Sequence, residues 1–181
     1  KLFSEMVCQE YWYERGLKTA IARFHNVYGP YGSWDGGREK APAAICRKVI
    51  EAKDSGNHEI EIWGNGEQTR SFMYIDDCVK GIDMIMHCED LIATPINLGS
   101  SELIAINDLV TYAEENGDVK LKRNYNLDAP RGVAGRNSDN TFIKEVLNWE
   151  PSIGFKEGLA KTYKWIEQQY YDRKAGKRTV S

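Results

Sequence analysis

Two lysines are placed where an amine can do chemistry. Lys40 lies just before Pro42, which sits where the first turn of a helix tolerates proline, and Ala43 to Ala52 continues with helical character. The positive end of a helix disfavours an ammonium beside it, so a lysine there is suited to giving up a proton. The ordinary alternative is a solvated surface lysine. Lys48 follows two turns later and roughly 80° round the same helix, so both amines could face one cleft. Asp76-Asp77 could be paired carboxylates for metal or acid–base work, but they precede an apolar helical pattern, and a helix cap explains them better. Arg70 could be an ordinary strand-face charge pairing with Asp76 or Asp77. His25 stands in an apolar strand and reads as a structural histidine, and His58 and His87 lack nearby partner residues. Cys8, Cys46, Cys78 and Cys88 show neither CxxC nor Cys/His metal spacing; they read as free thiols, with no metal site.

These residues need elements to hold them. Phe3, Val7 and Tyr11 recur at helical spacing before Gly16, and Leu17 to Val27 then reads as a buried strand. The punctuated stretch Tyr28 to Gly37 is a loop leading to the helix after Pro42. Glu59 to Trp63 alternates as a strand, Gly64-Asn65-Gly66 turns, and Arg70 to Tyr74 is extended. A helix capped by Asp76 is expected through Cys88, with Val79, Ile82, Ile85 and Met86 on its apolar face, then a strand over Pro95 to Leu98. Asn107 is expected to cap a helix to about Tyr112, followed by an extended Val119 to Tyr125 and a helix over Thr141 to Leu147. Phe155, Leu159, Tyr163, Ile166 and Tyr170 mark the most strongly periodic helix. The interleaving is α/β, but the strands are too short and scattered for a complete doubly wound sheet, and no G-x-G-x-x-G follows a strand.

With 181 residues, 41% hydrophobic and 28% charged, the chain can bury one real core. A net charge of -3 gives no long-range field for nucleic acid or an anionic membrane, so any anion must be held by locally placed cations. No signal segment opens the chain and no apolar run is long enough to span a bilayer; with the free thiols, this points to the cytoplasm.

The run Arg23-Phe24-His25-Asn26-Val27-Tyr28-Gly29-Pro30 resembles the R-x-x-N-x-Y-G-P signature of the extended short-chain dehydrogenases, the NAD-dependent epimerase/dehydratase family. Trp63 to Phe72 with Ile75-Asp76-Asp77-Cys78-Val79 is similar to a second segment of that family. Gly36-Gly37-Arg38-Glu39-Lys40-Ala41-Pro42-Ala43-Ala44 and Gly135 to Asn140 resemble its GDP-mannose 3,5-epimerase branch. The resemblance covers nearly the whole chain, with a longer stretch near Asp54 to His58. Aligned this way, Lys1 falls on the lysine of the Y-x-x-x-K pair. The chain is then expected to be a C-terminal part: residues 1–173 form a nucleotide-sugar-binding subdomain plus the last elements of an incomplete Rossmann fold, and 174–181 a frayed tail. The tyrosine and the glycine-rich NAD-binding segment are expected upstream.

The resemblance also implies roles. Transient oxidation of the sugar at C4, with NAD as cofactor, acidifies the C3 and C5 protons, and their removal and return invert both centres. Lys1 would support the tyrosine base by its charge and hold the nicotinamide ribose. Lys40 would deliver protons from the face opposite a cysteine base that is none of the four in this chain. Lys48 and Arg136 would meet the diphosphate of GDP-mannose, with Gln68, Thr69 and Arg70 at the nucleotide and Asn26, Glu39 and Ala41 completing the substrate set. Arg131 is a second candidate for the diphosphate. A homodimer through the first helix and its upstream predecessor is implied for the intact enzyme, and a fragment alone would be inactive. Competing readings are a UDP-sugar 4-epimerase or 4,6-dehydratase, against which Glu39-Lys40 argues, and a non-catalytic nucleotide-sugar-binding module.

Overall fold

The computed structural model describes residues 1–129 and 132–180. Helix α1 (Leu2–Arg15) ends at Gly16 and buries none of its residues. The segment read as one strand from Leu17 to Val27 is two, β1 (Ile21–Phe24) and β2 (Val27–Tyr28), because the chain changes sheets between them. The N–H of His25 still donates to Leu98 (3.0 Å), whereas the carbonyl of Asn26 already accepts from Met73 (2.8 Å). A loop then leads to α2 (Ala41–Ser55), which has Lys40 at its N-cap position.

Next come β3 (Glu59–Trp63), β4 (Thr69–Arg70) and β5 (Met73–Tyr74), then α3 (Ile75–Met86) and a single 3-10 turn (Glu89–Leu91). The chain continues through β6 (Pro95–Leu98), β7 (Ile104–Ala105), α4 (Ile106–Gly117), β8 (Lys122–Asn126), β9 (Gly135–Arg136), α5 (Thr141–Leu147) and α6 (Phe155–Lys174). Parallel pairing joins β1 to β6, β2 to β5 and β3 to β8, while β4 lies between antiparallel β7 and parallel β9. Among the described residues no helix is long and apolar enough to cross a membrane.

Two apolar cores result. One joins α2, α4, α6 and β3 through Cys46, Val49, Ile62, Leu109, Leu159 and Ile166. The other lies between the β1–β6 pair and helices α3 and α5, around Ile85, Ile96, Leu98 and Ile143. The second is the end of a parallel α/β layer, and the first supports the loops that carry the candidate binding residues. All four cysteines are free thiols, with Cys46 and Cys78 buried.

Two expected caps are not caps. Helices α3 and α4 start directly after short strands, so Tyr74 and Ala105 occupy the N-cap positions and Asp76 and Asn107 fall inside the first turn. The carboxylate of Asp77 instead accepts backbone N–H groups from Ser152 (2.9 Å) and Ile153 (2.8 Å), tying α3 to the loop before α6. Asn107 donates to the Asn65 carbonyl (3.1 Å) and accepts from the Tyr125 hydroxyl (3.0 Å), bracing the turn ahead of β4. Helix α3 stops at Met86 rather than Cys88, and α4 runs five residues past Tyr112, to Gly117. Residues 175–180 turn back along α6: Val180 N–H donates to Gln169 (3.0 Å), and its carbonyl accepts from the indole of Trp34 (2.6 Å).

Glu114 ties α4 to the strand that follows. Its carboxylate, 3% exposed, accepts from Arg123 (2.8 Å), from the backbone of Leu121 (3.0 Å) and from Lys120 (3.2 Å). Burial pushes its pKa up, but these donors outweigh burial and hold it below the usual carboxylate value. A depressed folded pKa contributes stability above the unfolded value, and that stability is lost as pH falls through the folded one. Glu114→Gln is therefore expected to cost about 3 kcal/mol at neutral pH, since it leaves Arg123 without its anion. In urea unfolding the gap between the two proteins should narrow as pH drops below about 4. A gap that stays constant into acid would contradict this assignment.

Candidate functional site

A cleft of about 820 Å³ runs along β1, from Ala20 to His25, between Lys1, Glu5 and Cys8 on the α1 side and Ile82, Ile85 and Met86 of α3, with Asn97 and Arg136 also lining it. Lys1 enters from the start of α1, Asn97 stands on β6 opposite Arg23, and Arg136 arrives on β9. The wall on the α1 side is held by Arg23, which grips Glu5 through two nitrogens at 2.6 to 3.2 Å. That hydrogen bond keeps the Glu5 carboxyl below its usual pKa. Gly99 packs against His25: a Cβ there would stand 2.6 Å from the Cβ of His25 and 3.0 Å from that of Ser138, so only glycine lets both seat.

His25 is therefore more than a packed strand residue. It sits at the point where the chain leaves one sheet for the next, and it faces the cleft. Burial first, and then the charge of Arg136, hold its pKa below the ordinary histidine value, so it is neutral at pH 7. No local signal marks this position, because the change of sheet cannot be read from a continuous apolar run.

The pairing of β4 with β9 gathers a second set. Thr69 stands opposite Gly135 and Arg70 opposite Arg136, so the segment Gln68 to Arg70 lies directly beside Arg136. Gln68 donates to the Trp63 carbonyl (2.8 Å), and Arg70 donates to its own strand at Thr69 (2.7 Å). Gln68 also borders a smaller pocket of about 420 Å³ with Asn65, Glu67 and Gly132. Asn26 donates its amide to the Ser71 carbonyl (3.1 Å), which braces the segment between β4 and β5. Arg131 lies outside the described residues.

The third set stands at the head of α2. Lys40 is exposed, and Ala41 begins the helix half-buried. The carboxylate of Glu39, 7% exposed, accepts from Arg47 (3.1 Å) and from the N–H of Gly37 (2.7 Å), so it is already engaged within the chain. Lys48 reaches the Glu61 carbonyl on β3 (3.3 Å). The structure thus gathers Lys1, His25 and Arg136 on one cleft, with Gln68 to Arg70 adjoining through Arg136. Lys40 and Lys48 stand on α2, outside the lining of that cleft. An amine, a neutral imidazole and a guanidinium around one cleft suit a phosphorylated ligand carrying exchangeable protons.

Comparison with known proteins gives this arrangement a family. GDP-mannose 3,5-epimerase of Arabidopsis thaliana is 44% identical over 181 residues, covering 100% of this chain and 46% of that protein. UDP-glucose 4-epimerase of Thermotoga maritima, solved with UDP-glucose, superposes with a TM-score of 0.83 at 27% identity, over 94% of this chain and 52% of that one. UDP-glucuronic acid 4-epimerase of Bacillus cereus, solved with NAD, superposes with a TM-score of 0.78 at 26% identity, over 94% and 50%. The chain thus spans about half the length of the relatives it matches. The model of the NAD dependent epimerase/dehydratase family matches residues 1–99, which hold Lys1, the sheet switch at His25-Asn26, Lys40 and the β4 segment. That match, over more than half of the chain, places the chain in the NAD dependent epimerase/dehydratase family.

Proposed function

We propose that the polypeptide carrying this chain epimerises GDP-mannose at C3 and C5 to GDP-L-galactose, with NAD as cofactor, and that this chain supplies the nucleotide-sugar-binding half. The observation that carries this reading is the Gly36 to Ala44 run, which sets Lys40 at the head of α2 in a chain 44% identical throughout to such an enzyme. NAD, when bound, would supply reversible hydride acceptance at C4, the chemistry that makes a transient 4-ketone available. Lys1, His25 and Asn97, which line the cleft beside β1, are the residues of this chain that would face such a cofactor.

The chain's own residues do the rest in this reading. Lys1 holds the nicotinamide ribose and favours the ionised form of a tyrosine base contributed from outside this chain. Once C4 is a ketone, the neighbouring C–H bonds at C3 and C5 become acidic. Inversion needs acid and base on opposite faces, and Lys40 is the acid. Arg136, with Gln68, Thr69 and Arg70 beside it, grips the diphosphate and nucleotide, and Lys48 turns from the Glu61 carbonyl to join them. Asn26 and Ala41 line the sugar, while Glu39 acts through the loop that presents Lys40. The exposed Leu2, Phe3, Met6 and Tyr13 on α1 supply an apolar face for a second copy, giving a homodimer. The free thiols suit the cytoplasm.

Incubating the whole gene product with GDP-mannose in deuterated water tests the activity. Label is expected at both C3 and C5. Label at neither carbon, with a 4-epimer as product, would favour a UDP-sugar-type 4-epimerase and remove this reading.

A further inference from the structure

The loop before Lys40 is held by a charged and aromatic lock that reaches across the molecule to the residues after α6. Arg47, 17% exposed, is its centre. Its guanidinium donates to Glu39 (3.1 Å), to both oxygens of Glu51 (3.0 Å each) and to the Trp34 carbonyl (3.2 Å), and it lies 3.5 Å from Asp35. Four acceptors on one planar fork fix the loop at both ends, since Trp34 and Asp35 open it and Glu39 closes it.

A second arginine continues the lock. Arg173, near the end of α6, donates to Asp35 (2.7 Å) and lies over the Trp34 ring, 4.1 Å from its centroid. Trp34 is 1% exposed, and its indole N–H donates to the Val180 carbonyl (2.6 Å). Residues 173–180 therefore form a strap over the loop. Within the loop, Asp35 accepts from the Gly36 N–H (2.8 Å) and Glu39 from the Gly37 N–H (2.7 Å). Gly36 and Gly37 have φ of 93° and 82°, a turn other residues rarely adopt. A loop with two such glycines does not hold one shape by itself, so the arginines supply the constraint.

We propose that Arg47, Trp34 and Arg173 are positioning residues that set the loop from Asp35 to Glu39 and so aim the Lys40 amine at the substrate. The inference rests on the role proposed above for Lys40. It also gives Glu39 its function: its carboxylate engages Arg47, one residue from the amine that must be aimed.

The test uses the whole gene product with NAD and GDP-mannose, and reads two steps separately. One is C4 oxidation, followed by reduced cofactor in a single turnover; the other is deuterium uptake at C3 and C5. Arg47→Lys keeps the charge but loses the fork, and Trp34→Phe keeps the ring but loses the N–H to Val180. Each is expected to lower deuterium uptake about tenfold or more while C4 oxidation stays within about twofold, because a small misplacement of a reacting group is costly. If Arg47→Lys does not fold, Arg173→Gln, at a more exposed position, takes its place with the same expectation. Uptake that is unchanged, or that falls in proportion to C4 oxidation, overturns the proposal. Lys40→Met separates the two ideas. If Lys40→Met exchanges normally, the role of Lys40 is wrong; if it is inert while the lock variants exchange normally, only the positioning is wrong.

Discussion

Replacing Lys40 with methionine is expected to lower deuterium uptake at C3 and C5 by about 10²- to 10⁴-fold, the usual contribution of a positioned general acid or base. Oxidation at C4 should continue at close to the parent rate, because it precedes proton return to C3 and C5 and takes no proton from Lys40. Methionine retains most of the side-chain length, and the position is exposed, so the fold should be undisturbed. The measurement is the ratio of label uptake to reduced cofactor formed in one turnover. A protein that loses both steps equally would show Lys40 acting on binding or folding rather than as a proton donor.

Lys1→Met should produce the complementary pattern, with C4 oxidation and label uptake falling together by about 10²-fold or more, since no C–H bond is acidified until the ketone exists. Without the ammonium, the tyrosine base returns towards its ordinary pKa near 10, and only about one part in a thousand is ionised at pH 7. Raising the pH should then restore C4 oxidation by about tenfold per unit, up to that value. The parent enzyme should show no such climb. A flat pH profile for Lys1→Met would mean that Lys1 holds the cofactor without tuning the base.

The two variants together divide the reaction between two places in this chain. Lys1 belongs to the parallel layer of β1 and β6, packed on α3 and α5, whereas Lys40 belongs to the layer built from α2, α4 and α6. Arg136 connects them, lining the cleft while pairing through β9 with the β4 segment. A substrate held by Arg136 would thus be bound by a strand that touches both the redox side and the nucleotide side.

Much of this was legible in the residues themselves. Local patterns determined the elements whose signals are local: α5 from Thr141 to Leu147, β6 from Pro95 to Leu98 and β3 from Glu59 to Trp63 agree with their expected bounds. Spacing and motif alone brought Lys40 to the head of a helix and named the family to which the chain belongs. What tertiary structure decided depends on partners distant in sequence. The break between β1 and β2 arises because the His25 N–H still pairs with Leu98 while the Asn26 carbonyl already pairs with Met73, and at that break His25 lines the cleft. The caps of α3 and α4 went to Tyr74 and Ala105 because strands run straight into those helices, leaving Asp77 to hold Ser152 and Ile153 instead. The lock around Arg47 joins Trp34, Asp35 and Glu39 to residues after α6, a separation across which no periodicity carries information. The sequence by itself determined the family and the helices and strands whose signals are local; packing decided which of the candidate residues share a cleft, because hydrogen bonds and charges select partners by proximity in space rather than along the chain.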